Sequence, residues 1–215
     1  MAAKLLSEQL SDAYNSDYEN IISQILDQHY AIVENFFHPK VLNALTENLD
    51  SLYLNDKLKK AAIGKHFNEH IKTEIRGDYI QWIDEKKADP IEIDFFKQIN
   101  HFIKYLNRTC FMGIMHKEFH YAVYPKDRFY KRHLDTFEND QRRKLSLVLY
   151  LNKEWSSDCG GELVIYTQNK GTEEEVKTLP IFGRLVVFES SLLEHEVKPV
   201  LKGERLSITG WLKVR

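Results

Sequence analysis

Apolar positions in the first half of the chain recur at helical spacing. Between Asp17 and Phe37, the residues Ile21, Ile22, Ile25, Leu26, Ile32 and Val33 repeat with the period of an amphipathic helix, and the chain then turns through Phe36-Phe37-His38-Pro39. A second stripe, Val41, Leu42, Leu45, Leu49, Leu52 and Leu54, begins just after Pro39, whose fixed φ and missing N–H suit a first helical position. A third stripe runs through Phe95, Phe96, Ile99, Phe102, Ile103 and Leu106. It follows a strong start signal, with Asp89 as cap, Pro90 at the first position and Glu92 at the third. Between the last two stripes, Ile75 to Ile83 is rich in aromatic and β-branched residues and predicts a strand or hairpin. These stripes are core faces, made to back a sheet.

The period changes from Phe119 onward. Short strand-like runs separated by turns cover Phe119 to Tyr124, Leu145 to Leu151, Glu162 to Thr167, Arg184 to Glu189 and Arg205 to Leu212. Alternation puts Ser146, Val148 and Tyr150 on one face, Gly160-Gly161 supplies a flexible entry to the next strand, and Gly171 to Lys177 reads as a charged hairpin tip. The expectation is an α+β chain with a double-stranded β-helix (a jelly roll, cupin-like) and supporting N-terminal helices. It forms a single catalytic domain over 1–215, with 1–110 mainly helical support, a strand-like segment near 71–83, and 111–215 as the jelly-roll core.

Composition narrows the class. Thirty basic against 32 acidic residues give a formal charge of −2, which does not favour nucleic acid or an anionic membrane as partner. Two cysteines, Cys110 and Cys159, form no disulfide framework and point to a reducing cytoplasm. The opening residues Met1 to Glu8 meet charge too early for a secretory signal, and no apolar run reaches membrane-spanning length.

The chemistry lies in His133-Leu134-Asp135. On an extended backbone, residues i and i+2 share a face, so an imidazole and a carboxylate can converge on one metal ion. His195, in Leu193-Glu194-His195-Glu196-Val197, offers a third ligand, and Arg205 follows ten residues later. Two imidazoles and one carboxylate leave three octahedral positions open, the arrangement of non-heme Fe(II) oxygenases, whereas structural zinc takes four ligands and favours cysteine. A 2-oxoacid can fill two positions and dioxygen the third. A guanidinium such as Arg205 suits the far carboxylate of a dicarboxylate co-substrate, through two charge-assisted hydrogen bonds. A rival is His66-Phe67-Asn68-Glu69-His70, which fits the H-x-x-E-H of inverted zinc proteases and would make the chain a zinc hydrolase using His66, Glu69 and His70. Its flanking apolar pattern is thin, and a loop beside the substrate explains it as well. A noncatalytic binding module that kept the fold is a third reading. Arg142, Arg143 and Lys144 either edge the cleft or form a solvated charge run.

From Ala122 to Trp211 the chain resembles the 2-oxoglutarate- and Fe(II)-dependent prolyl hydroxylases of the hypoxia-inducible-factor type, bacterial relatives included. The resemblance rests on Val123-Tyr124-Pro125, Tyr130 to Asp135, Leu149 to Trp155, Gly160-Gly161-Glu162-Leu163, His195 to Pro199 and Ile208-Thr209-Gly210-Trp211, with Ile75 to Ile83 upstream. It implies that His133, Asp135 and His195 are the iron ligands and that Arg205 holds the distal carboxylate of 2-oxoglutarate. It further implies that the Tyr150 hydroxyl shares that carboxylate and that Tyr124 lines the co-substrate pocket. The implied activity is hydroxylation of a prolyl residue in a protein or peptide, with a translation factor such as elongation factor Tu as candidate substrate and ascorbate as candidate reductant. The same core also serves oxygenases acting on other residues or small molecules. In two places the chain departs from the family's pattern: the interval from His195 to Arg205 is one residue longer, at Lys202-Gly203-Glu204, and Tyr124 lies one residue nearer the triad.

Overall fold

The computed structural model describes residues 14–61, 74–136 and 140–215. Helix α1 (Ser16–Gln28) starts where the Asn15 side chain accepts from the N–H groups of Asp17 and Tyr18. It ends sooner than the apolar stripe predicted, because His29 takes a left-handed conformation (φ 68°) and Tyr30–Val33 leave as strand β1. Helical spacing counted Ile32 and Val33 into the stripe, but both are β-branched and pair with β9 (Leu185–Glu189), a tertiary partner that local periodicity does not reveal. Helix α2 (Pro39–Leu54) keeps Pro39 at its start, and α3 (Pro90–Thr109) has the anticipated capping box, with Asp89 accepting from the Glu92 N–H while Glu92 accepts from the Asp89 N–H.

The strands are β2 (Lys59–Lys60), β3 (Tyr79–Ile83), β4 (His116–Tyr124), β5 (Tyr130–His133), β6 (Arg143–Tyr150), β7 (Leu163–Asn169), β8 (Thr172–Thr178), β9, β10 (His195–Val197) and β11 (Arg205–Lys213). They form two antiparallel sheets, a seven-stranded one in the order β1-β9-β6-β11-β4-β3-β2 and a four-stranded one in the order β5-β10-β7-β8. One correction concerns Gly171 to Lys177. Only Lys170 and Gly171, both at positive φ, make the hairpin tip, and Thr172–Thr178 pairs with β7 along its length. Its glutamates hid the strand, since the first four residues of this edge strand are exposed and carry charge where a buried strand alternates.

β6 is buried on both faces. Leu147 and Leu149 join the core between sheet and helices, alongside Ile21, Leu45, Ile99 and Phe102. Val148 and Tyr150 turn the other way, into a second cluster between the two sheets with Ile165, Val186 and Phe188. The helices brace one face of the large sheet, while the polar chemistry sits in the space between the sheets.

Candidate active site

Antiparallel pairing of β10 with β5 sets His195 directly opposite His133, removing a sequence separation of some sixty residues. Their ring centroids lie 4.3 Å apart. β5 ends at His133, so Asp135 lies in the bend just beyond the strand rather than on it as the sequence suggested. Its carboxylate still reaches both rings, with Oδ1 3.7 Å from His133 Nε2 and Oδ2 3.5 Å from His195 Nε2. The three ligand atoms fall within 4.8 Å of one another.

Backbone carbonyls decide the tautomers. A carbonyl can only accept, so His133 Nδ1–H donates to Lys131 O (2.7 Å) and His195 Nδ1–H to Leu193 O (3.3 Å). Both Nε2 lone pairs are thereby left facing Asp135, as a metal requires of neutral imidazole. Tyr130 stacks on His133 at 3.7 Å, and Phe188 meets His195 edge-on at 4.6 Å. The Ser146 hydroxyl donates to Asp135 Oδ2 (2.6 Å) and lies 2.8 Å from the Ser190 hydroxyl, while Arg143 Nη1–H donates to the Asp135 carbonyl. Burial by itself would push the Asp135 carboxyl up. His195, His133 and Ser146 outweigh it and hold the group well below the ordinary carboxylate range. Burial, then the neighbouring His133, pushes His195 down to about 4, so its ring is neutral near pH 7.

Arg205, the first residue of β11, is 1% exposed. It donates through Nε to Gly161 O (2.9 Å), through Nη1 to Ser207 Oγ (3.2 Å) and through Nη2 to the Tyr150 hydroxyl (3.4 Å). All three acceptors are neutral, and among the described residues no carboxylate answers this guanidinium. Gly161, at φ 70°, aims its carbonyl at Arg205, and a Cβ there would crowd Arg205 Cδ at 3.3 Å. Sheet register places the two tyrosines beside the guanidinium, Tyr124 opposite Arg205 and Tyr150 opposite Ser207. Burial raises the pKa of both phenols despite the opposing pull of Arg205. Tyr150 therefore stays protonated, accepts from Arg205, and keeps its own hydrogen for a ligand. In the turn ahead of β11 Gly203 takes φ 70°, and Arg205 enters the strand paired opposite Tyr124.

His133, Asp135, His195, Arg205 and Tyr124 line one cavity of about 40 Å³ together with Arg76, His120, Tyr130 and Trp211. A cavity of about 680 Å³ opens elsewhere, edged by Arg132, Glu173 and Glu194, and holds none of the three metal-ligand candidates. Donor geometry, not volume, locates the chemistry. Sequence reasoning missed Arg76 and Asp78, a bidentate pair (2.6 and 2.8 Å) whose guanidinium lies 4.8 Å from the Tyr130 ring centroid. The Arg-x-Asp spacing was the available signal. A Cβ on Gly77 between them would come within 2.8 Å of Arg128 Cδ, so that side chain would have to shift. It also missed His120, held between Trp82 (4.9 Å) and Trp211 (5.5 Å) on neighbouring strands. Arg143 is bound to Glu118 (2.7 Å) and covers the Trp211 ring at 3.6 Å, and Arg142 is bound to Asp140. The rival residues His66, Glu69 and His70 lie outside the described residues.

Residues 119–213 match the 2OG-Fe(II) oxygenase superfamily. Among solved structures, the chain is 33% identical to a Pseudomonas putida prolyl-4-hydroxylase, at a TM-score of 0.80 over 92% of this chain and 99% of that one. It is 26% identical to a Trichoplax adhaerens prolyl hydroxylase in complex with a hypoxia-inducible-factor oxygen degradation domain peptide, at a TM-score of 0.81 over 97% and 92% of the two chains. A PKHD-type hydroxylase of Prochlorococcus marinus is 39% identical over 89 residues, covering 41% of this chain and 37% of that protein. The chain thus spans under two fifths of that relative's length.

Proposed function

We propose, from the premise that the chain belongs to the 2OG-Fe(II) oxygenase superfamily and has prolyl hydroxylases as its relatives, that it hydroxylates a prolyl residue in a protein or peptide. The observation that carries this reading is a His-Asp-His cluster with free Nε2 lone pairs, sharing one pocket with a buried guanidinium that no carboxylate among the described residues answers. The residues present fit the implied group, since the donor set is hard carboxylate plus neutral imidazole without cysteine, which suits Fe(II). His133, Asp135 and His195 would hold the iron, and Arg205 with Tyr150 would hold the distal carboxylate of 2-oxoglutarate, with Tyr124 as a wall. Bound there, the iron supplies oxidation of an unactivated C–H bond by dioxygen. The balance is closed: 2-oxoglutarate, O₂ and C–H give succinate, CO₂ and C–OH.

The chain's own residues orient and exclude water. Lys131 and Leu193 carbonyls fix both imidazoles, Ser146 fixes the carboxylate, and Tyr130 and Phe188 pack against the two rings. The region 1–215 acts as one catalytic unit in this reading, the helices bracing the sheet that carries Arg205. The cytoplasm is its proposed location, in keeping with two free cysteines and with the finding that no helix among the described residues is long and apolar enough to cross a membrane. Ascorbate is the proposed reductant that keeps the iron ferrous. The Trichoplax structure, with its bound peptide, favours a protein substrate, and a translation factor such as elongation factor Tu is the one to try first. Incubation of the protein with Fe(II), 2-oxoglutarate, ascorbate and proline-containing peptides from that factor is expected to add one oxygen to a proline, matched by equimolar succinate. Oxygen found on another residue type, with proline untouched, would overturn the prolyl assignment.

A further inference from the structure

Four side-chain polar atoms among the described residues are buried without a hydrogen-bond partner, and three of them belong to one wall of the iron pocket: both ring nitrogens of His120 and the indole Nε1 of Trp211. Buried polar atoms are nearly always satisfied, so orphans gathered beside a cavity point to a ligand atom. His120 is 1% exposed, and its ring is held by the flanking indoles rather than by hydrogen bonds. Burial is the largest influence on it, joined by Arg76 and Arg143 against Asp78 and Asp135, and pushes it down to about 3. The neutral ring carries one N–H donor, and Trp211 adds a second.

Sheet register gives these donors a place relative to Arg205. Alternation along β11 puts Arg205, Ser207, Thr209 and Trp211 on one face, and the facing residues of β4 are Tyr124, Ala122 and His120. The Arg205–Tyr124 row is thus separated from the Thr209–His120 row by four residues, roughly 13 Å along the strands. A dicarboxylate whose far end meets Arg205 directs its other end toward His120. A 2-oxoacid carboxylate that spends one oxygen on a metal has a second oxygen needing donors in a pocket that admits little water.

We infer that His120, with the indole N–H of Trp211, is a positioning pair that hydrogen-bonds the metal-proximal carboxylate of the 2-oxoacid. The inference rests on the oxygenase reading above. Neither residue is asked to exchange a proton; both orient the bound acid against the metal.

Anaerobic titration of 2-oxoglutarate into the Fe(II)-loaded protein, followed by the visible absorption of the chelate, tests it. His120→Leu is expected to weaken 2-oxoglutarate on the order of tenfold and to shift the absorption maximum, and His120→Gln, which keeps a donor, to restore most of both. Iron content stays as in the wild type. If His120→Leu does not load iron, Trp211→Phe removes a single donor and carries the same expectation. A wild-type band that the His120→Leu and Trp211→Phe variants reproduce in affinity and position would overturn the positioning role while leaving the oxygenase reading intact. Failure of His120→Gln to restore either the affinity or the absorption maximum would also overturn it, as the sign of a packing role. A wild type with iron but without the band would instead sink the oxygenase reading itself.

Discussion

Among the described residues, a guanidinium buried as deeply as Arg205 is met by a carbonyl, two hydroxyls and the ring faces of Tyr124 and Tyr150, and by no carboxylate that would balance its charge. Its planar fork can give two parallel bonds to a carboxylate, where a lysine offers a point charge. Arg205→Lys is accordingly expected to weaken 2-oxoglutarate by about 1.5–3 kcal/mol, roughly ten- to a hundredfold, with iron affinity unchanged, as read by titration of the iron-loaded protein. The His-x-Asp spacing and the motifs around His195 and Arg205 singled these four residues out in the sequence, and the fold brings them to one pocket. His120 and Arg76 were not legible, since a histidine or arginine in a strand looks ordinary until its neighbours are known. Ser146 was placed on the correct face by alternation, but its bond to Asp135 joins residues that only the fold brings together.

At the scale of elements, short pairings do the positioning. β10 is three residues long, too short to announce itself by alternation, yet its register with β5 brings the two histidines face to face. β11 and β4 are the long pair that carries Arg205, Trp211, Tyr124 and His120, and Gly210 lets them close. A Cβ at Gly210 would stand 2.1 Å from Phe119 Cδ1 and 2.4 Å from the Glu118 carbonyl, because the Phe119 ring folds over the bare glycine backbone. Gly210→Ala is expected to destabilise by about 1–3 kcal/mol. For a chain of this size that lowers Tm by roughly 2–12 °C in a thermal melt, and a Tm equal to the wild type would show that the strands part freely there. The helices α2 and α3 were legible almost to the residue, since a proline start, a capping box and an apolar stripe agree. The apolar stripe of α1 runs on into β1, so periodicity overstates the helix, and the exposed glutamates at the start of β8 resemble a charged hairpin tip.

Across the whole molecule, the two sheets divide the labour. The seven-stranded sheet buries one face against three helices and presents Arg205, Tyr150, Tyr124 and His120 on the other, while the four-stranded sheet brings His133 and His195. Asp135 closes the cluster from the bend between them. Because the two histidines and the guanidinium belong to different sheets, the distance between them is set by the packing between the sheets. The jelly-roll architecture was legible from the spacing of strands and turns, whereas the facing of the sheets depends on long-range pairing that no local signal encodes. On the proposed function, this shared pocket takes Fe(II) and a 2-oxoacid together. The direct test is to add Fe(II) and then 2-oxoglutarate anaerobically, with Asp135→Ala as control, and to record the visible spectrum. The predicted result is a charge-transfer band in the wild type that is missing in Asp135→Ala. A wild type that binds iron without the band, or an Asp135→Ala protein that keeps it, would contradict the claim.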